Sequence, residues 1–382
     1  MHSQKRGAFF LFSMYGSEVI KYLEEWAPPG AAWKDDSIGL QVGAGDIKIK
    51  NILVALELNQ KVLNQAIKKN CNFIFTHHPF IFTPLKRLDF RNDPKAAIIQ
   101  ELIKNNITLY SAHTNLDFTK DGVSFELAKK LQLKNIRFLV NEESNQYKLV
   151  VFVPLDNVAE VSEAIFNAGG GIIGEYKKCS YQILGEGTFE GSDNSNPKVG
   201  KKNNFETVVE VRLEVLVHSW NLNSVTRAML SVHPYEEPAY DIYVLNNKNA
   251  NYGYGAIGEL EAPMRTDMFL SHIKEKLDAE AVRYTSGASN KIKKVAVCGG
   301  SGSDLVSSAI ASGADAYITA DIKYHTFQDA ENKILLIDAG HYETEVQVLN
   351  IVKKKLSDLA KNTNVKVFKY SGSTNPVKFF NN

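Results

Sequence analysis

Asn72-Phe73-Ile74-Phe75-Thr76-His77-His78-Pro79 runs from a short apolar segment straight into two adjacent histidines. An apolar run of this length, closed by a proline-led turn, reads as a buried strand. The histidines then stand at its carboxyl end. Neighbouring strand residues point to opposite faces, so both imidazoles serve one site only where the strand has ended and the chain bends. Pro79 favours such a bend, because it pushes His78 toward an extended conformation. Otherwise each histidine serves a different ion of a close pair, or both are core residues with partners of their own.

Outward from this segment, strands and helices alternate. Asn51–Leu56, Phe73–Phe75 and Ile107–Ser111 read as strands, with helices at Lys61–Lys69, Lys95–Lys104 and Val123–Leu131. Ser17 is the expected cap of a first helix ending near Trp26. Such alternation predicts a parallel sheet covered by helices on both faces. From about Gln146 the pattern becomes β-α-β-β-α-β, the ferredoxin-like order. It runs through Gly169–Gly191 as glycine-broken strands, a polar loop at Ser192–Asn204 and a strand at Phe205–Val217. Alternation then resumes with strands at Val295–Cys298, Ala316–Thr319, Ile334–Ile337 and Val365–Phe368, and a long helix from His341 through Leu356. The fold class is therefore α/β: a two-lobed unit interrupted by an inserted ferredoxin-like α+β domain. The expected boundaries are 1–13 for an N-terminal extension, 14–145 and 248–382 for the lobes, and 146–247 for the insert.

Three further segments carry chemistry. Ala112-His113-Thr-Asn-Leu-Asp117 follows a strand, and ligands in open α/β sheets bind beyond strand carboxyl ends. His341 and Glu345 lie four apart, so on a helix they share a face and form a chelating pair; a capping or surface pair has the same spacing. Asp321-Ile-Lys-Tyr-His325 offers a cation at Lys323 and a general acid or base at His325, since imidazole titrates near neutrality. The loop Gly299–Asp304 precedes a helix, where free amides hold anions, although it is no full phosphate-binding fingerprint. No G-x-S-x-G elbow supports serine catalysis. Imidazoles and carboxylates gathered at sheet ends suit borderline-to-hard divalent ions such as zinc, iron, manganese or cobalt, with zinc preferred. Two such ions would make water a nucleophile.

Composition sets limits. A hydrophobic share of 44% and a charged share of 23% are those of an ordinary globular protein. The formal net charge of +1 gives no electrostatic case for nucleic acid or an anionic membrane. Cys71, Cys179 and Cys298 form no C-x-x-C pair, so a reducing cytoplasm is expected. Lys5-Arg6 before Ala8–Phe12 loosely imitates a signal peptide, but the apolar part is short and no small-residue cleavage site follows.

Together these segments resemble the Nif-three-like family of dinuclear metal proteins, the GTP cyclohydrolase I type 2 homologues. The resemblance rests on Asp36-Ser-Ile-Gly-Leu-Gln-Val-Gly43, Thr76-His-His-Pro79, Pro84-Leu-Lys86, Ala112–Asp117, Cys298-Gly-Gly-Ser-Gly302, Asp321–His325 and Gly340-His-Tyr-Glu-Thr-Glu345. It implies two divalent ions held by His77, His78, Asp117, His341 and Glu345, with Glu345 bridging. His113, Lys323 and His325 remain the candidates for catalytic work. The implied activity is ring-opening hydrolysis of a purine nucleotide such as GTP. Ser37 departs from the asparagine usual in the family. Cys179-Ser-Tyr, Gly185–Phe189 and His233–Asp241 look like the PII-like (CutA-like) insert of the longer members, and the Ser192–Asn204 loop departs from that pattern. The longer members imply a toroidal homohexamer. The alternative expectation is a binding or scaffold protein in which metals stabilise the lobes and the insert takes an effector or partner.

Overall fold

The computed structural model describes residues 12–141 and 145–380. They divide into two compact units: one built from residues up to Val140 together with those from Tyr252 on, the other from Asn141–Asn251. The second unit is slightly wider than the 146–247 expected, because Asn141 and Asn249 close its two ends: Asn141 Nδ2 donates to the Asn249 carbonyl at 3.0 Å. Except for Phe12 and Ser13, the extension expected over residues 1–13 lies outside the described residues.

In chain order the strands are β1 (Gly39–Val42), β2 (Asn51–Ala55), β3 (Phe73–Thr76), β4 (Thr108–Ser111), β5 (Lys134–Asn141), β6 (Gln146–Pro154), β7 (Ser180–Glu190), β8 (Phe205–His218), β9 (Tyr240–Leu245), β10 (Gly253–Arg265), β11 (Arg283–Tyr284), β12 (Lys291–Ser301), β13 (Ala316–Ala320), β14 (Leu335–Asp338) and β15 (Lys366–Lys369). The first unit holds two sheets, ordered β1-β4-β3-β2-β15 and β11-β14-β13-β12-β10-β5. In each the central strands are parallel, as their continuous apolar runs require. The expected parallel sheet is corrected away from these central strands, where β1, β10 and β11 pair antiparallel to their neighbours. Apolar side chains pack on both faces of each sheet. In the second unit the sheet is ordered β7-β8-β6-β9 with every pairing antiparallel, which is the split βαβ arrangement of ferredoxin-like folds. The helices Val158–Asn167 and Leu222–Val232 share its core.

Three local expectations change. Tyr15, not Ser17, occupies the cap of the first helix, whose Glu18 carboxylate accepts from the Tyr15 amide at 2.7 Å. The Gly169–Gly191 region contains one eleven-residue strand, β7, rather than several broken ones. The helix opening at His341 stops at Glu345 and restarts at Val348, with i→i+3 bonds from Leu349 to Val346 and from Asn350 to Gln347 tightening the junction. Among the described residues no helix is long and apolar enough to cross a membrane.

What positions the site is the direction of the parallel strands. The carboxyl ends of β3 and β4 deliver His77-His78 and His113–Asp117, and the carboxyl end of β14 delivers Gly340-His341. Phe75 is fully buried on β3 with its ring centroid 6.5 Å from that of Tyr110. Phe75→Ala is expected to destabilise the first unit by about 3–5 kcal/mol. Guanidinium unfolding checks this, and a loss under about 1 kcal/mol would contradict the packing described.

Candidate metal centre

The strand β3 ends where its ladder does. The amides of His77 and His78 both donate to the Leu56 carbonyl, at 3.0 and 2.8 Å. Two successive amides on one acceptor bend the chain, and the adjacent imidazoles come to lie with ring centroids 5.1 Å apart. His113 precedes a single helical turn, Thr114–Asp117, in which the Asp117 amide bonds the His113 carbonyl at 3.0 Å. Gly340 has φ of 92° and opens the turn His341–Glu345, which sets His341 and Glu345 one above the other.

These pieces converge on the Glu345 carboxylate. Its Oε2 lies 2.8 Å from His78 Nε2 and 3.2 Å from His341 Nε2; its Oε1 lies 3.8 Å from His77 Nε2. His77 Nε2 is in turn 3.5 Å from Asp117 Oδ1. Two sets of ligand atoms, His77-Asp117-Glu345 and His78-His341-Glu345, each lie within 4.8 Å and share only Glu345. A third set, His77-His78-His113, adds the remaining imidazole.

Three imidazoles have a hydrogen-bond acceptor on Nδ1: the Ala112 carbonyl for His77 at 2.8 Å, Asp36 for His113 at 2.9 Å and Asp321 for His341 at 2.6 Å. Behind His78 the Glu57 carboxylate faces Nδ1 at 3.4 Å without a hydrogen bond. A carbonyl only accepts, so the His77 proton sits on Nδ1 and its Nε2 lone pair faces inward. This backing orients metal-ligating histidines and raises their basicity. Sequence reading assigned no role to Asp36, Glu57 or Asp321. The signals available were that Asp36 and Asp321 open two of the segments on which the family resemblance rests, and that Glu57 and Asp321 each closely follow a buried strand.

The arrangement fits a cation on a direct test. His77 Nε2 and Asp117 Oδ1 are buried and have no hydrogen-bond partner, while His77 and Glu345 are 0% and 3% exposed. Unpaired buried polar atoms beside buried carboxylates are costly unless a positive charge compensates them. The titration of the site agrees. Burial works against a charged His78, yet Glu345 and Glu57 outweigh it and raise its pKa to about 10. His341 rises to about 9 by the same contest, with Glu345 and Asp321 against burial. Burial would raise Glu345, but the surrounding imidazoles hold it well below the usual carboxylate range. Asp117 is raised, chiefly by burial. Burial pushes the Cys298 thiol up to about 12, so it stays neutral and is no thiolate ligand.

Gly300 shows how tightly the carboxylate is seated. With φ of +61°, a Cβ there would meet Glu345 Oε1 at 2.1 Å. In the Gly299–Asp304 segment, expected to offer amides to an anion, the Gly299, Gly300 and Gly302 amides are engaged, on Ser124, Thr344 and Thr319, and Gly300 makes room for Glu345. His325 stands exposed in the first turn of the helix Tyr324–Ala330, Nδ1 3.5 Å from Gln328 Oε1, with exposed Lys323 as the cap. Neither joins a ligand set.

The family model described as Duf34/NIF3 (NGG1p interacting factor 3) matches residues 14–376. The chain belongs to the Duf34/NIF3 family. Similar members include the GTP cyclohydrolase 1 type 2 homolog of Halalkalibacterium halodurans, 37% identical over 95% of this chain and 98% of the relative. The homolog of the same name in Bacillus subtilis is 36% identical over 96% and 99%. Among solved structures, a Bacillus cereus protein related to NIF3 superposes with a TM-score of 0.81 at 36% identity, covering 96% of this chain and 99% of that one.

Because imidazoles must shed protons to ligate, cation loading of this Duf34/NIF3 site is expected to release about two protons per chain near neutral pH. Both raised imidazoles are protonated below their pKa, so apparent affinity should climb as pH rises from about 6 toward about 9. Calorimetry in buffers of different ionisation enthalpy reads the release; a proton count of zero would contradict the assignment.

Proposed function

We propose that this Duf34/NIF3 protein is a metal-dependent hydrolase acting on a small molecule. The observation that carries the reading is two ligand sets sharing one buried carboxylate, one of them open to a cleft. His77, Asp117 and Glu345 lie deep, whereas His78 and His341 line a cleft of about 570 Å³. In this reading His77, Asp117 and Glu345 hold one divalent ion, His78, His341 and Glu345 a second, and Glu345 serves both. Imidazole with carboxylate accommodates zinc, iron, manganese or cobalt, and zinc is our choice. When bound, such ions polarise an acceptor oxygen and acidify water.

The remaining work falls to side chains of this chain. Asp36 and Asp321 keep the Nδ1 protons of His113 and His341 in place and so aim the Nε2 lone pairs, and Glu57 faces the Nδ1 side of His78. His113, on the edge of the ligand cluster, is the group placed to hold or move a proton beside it. Lys323 and His325 follow closely on Asp321 and are retained as proton-transfer candidates. The relatives are named for GTP cyclohydrolase, and a purine nucleotide is the substrate this reading takes from them. The cytoplasm, a homohexamer and a PII-like role for the second unit belong to the same proposal.

A scaffold is the second reading. It is favoured by one fact: the ligands follow strands of both sheets of the first unit, so a cation would tie their ends together. Turnover separates the two. Zinc-loaded protein is expected to hydrolyse a member of a purine-nucleotide panel, and His78→Ala to reduce the rate on the order of a hundredfold. His325→Gln should lower the rate while leaving metal content unchanged. No metal-dependent turnover by the loaded protein would favour the scaffold.

A further inference from the structure

The cleft that exposes His78 and His341 has a composition that sorts substrates. Its polar lining holds four carboxylates, Glu57, Asp321, Asp338 and Glu343, against one guanidinium, Arg283, and no lysine. Three of the carboxylates are hydrogen-bonded within the protein: Asp321 to His341, Asp338 to Arg283 and to the Ile322 amide at 3.1 Å, and Glu343 to Asn375 Nδ2 at 2.8 Å. Glu57 faces His78 Nδ1 at 3.4 Å.

Arg283 is held by one edge only. Its Nη2 bonds Asp338 and the Ile322 carbonyl, and the guanidinium carbon sits 5.5 Å from the Phe327 ring centre. These contacts fix the plane of the group and leave its Nε and Nη1 donors uncommitted. A guanidinium so oriented is suited to one carboxylate or one phosphate.

The C-terminal segment supplies the apolar part of the lining. It leaves β15 tied by the Tyr370 amide to the Val54 carbonyl at 2.8 Å and by Ser371 Oγ to Gln65 Oε1 at 2.9 Å. Asn375 is locked at both ends of its amide, Nδ2 on Glu343 and Oδ1 accepting from the Val377 amide at 3.0 Å. Pro376 restricts the intervening backbone. The result presents Pro376, Val377 and Phe379 to the cleft alongside Leu56 and Tyr342. These side chains make part of the lining apolar, and a pocket of this size buries most of a ring-sized ligand.

Resting on the hydrolase reading, we infer that the cleft takes a planar ring compound bearing a single anionic group. The ring lies against Pro376, Val377 and Phe379, and the anion is met by Arg283. A triphosphate is disfavoured, because beyond the ions themselves one cationic edge faces four carboxylates. Extended polyphosphates need several cations or a row of free amides, and the Gly299–Gly302 amides are already engaged.

The test uses full-length zinc-loaded protein and four probes: guanosine, guanosine monophosphate, guanosine triphosphate and 2-naphthoate. Calorimetry should rank the monophosphate and 2-naphthoate at least about tenfold tighter than the triphosphate. Arg283→Ala should weaken the monophosphate and 2-naphthoate about tenfold and leave guanosine unchanged, and Arg283→Lys, which keeps the charge beside Asp338, should recover part of the loss. Phe379→Ala should weaken guanosine, the monophosphate and 2-naphthoate alike. The inference is overturned if the triphosphate binds as tightly as the monophosphate, if Arg283→Ala weakens guanosine equally, or if no probe binds. Zinc content measured on the same samples keeps the two readings apart: protein that retains no zinc overturns the hydrolase reading, whereas zinc-loaded protein with the wrong ranking overturns this inference alone.

Discussion

The Glu345 carboxylate is the constraint on which the rest of the first unit is arranged. It is buried, it is held ionised by the imidazoles around it, and it offers one oxygen to each set of ligands. A charge in that position cannot be left uncompensated, so the surrounding backbone is committed to it. The strand β12 passes beneath it through Gly300, where no side chain has room. The helix that carries it breaks at Val346–Gln347 immediately after delivering it. Thr344, one residue away, uses its hydroxyl to hold the Gly300 amide, so glycine and carboxylate are tied to each other.

Around this centre the four histidines follow one rule: Nδ1 outward, Nε2 inward. The groups facing Nδ1 come from different places in the chain, Asp36 and Glu57 in the first half and Asp321 in the second, with the Ala112 carbonyl between. Asp36 shows how firmly such a group is placed. Burial would raise its pKa, but bonds from His113 and Thr114 bring it down to about 2. A site prepared this way needs little rearrangement to receive a cation.

Much of this was legible because parallel strands announce themselves. The runs at β2, β3, β4, β13 and β14 are mostly apolar and buried along almost their whole length, since both faces are covered. The six cluster residues could be picked out at the ends of such runs or on one helical turn. The strands β1, β5 and β10 were not foreseen, because edge and antiparallel strands take their register from tertiary pairing. In β10, Gly253 and Gly258 sit where a Cβ would meet the carbonyls of Val140 and Lys134 at 2.4 and 2.7 Å. They mark close strand approach, and in β12 Gly300 makes room for Glu345 in the same way. The carboxylates behind the imidazoles had no periodic signature, and only the folded chain brings Asp36 within reach of His113.

Residues His77 and Glu345 are separated by the whole of the Asn141–Asn251 unit, whose own ends are drawn together by Asn141 and Asn249. During synthesis the first four ligand side chains therefore emerge long before His341 and Glu345 exist. A nascent chain holds half a chelate, with its imidazoles exposed to whatever cations are present. Secure capture waits until the second half of the ligand set has been made, and the compactly closed insert keeps the entropic cost of joining the two halves small.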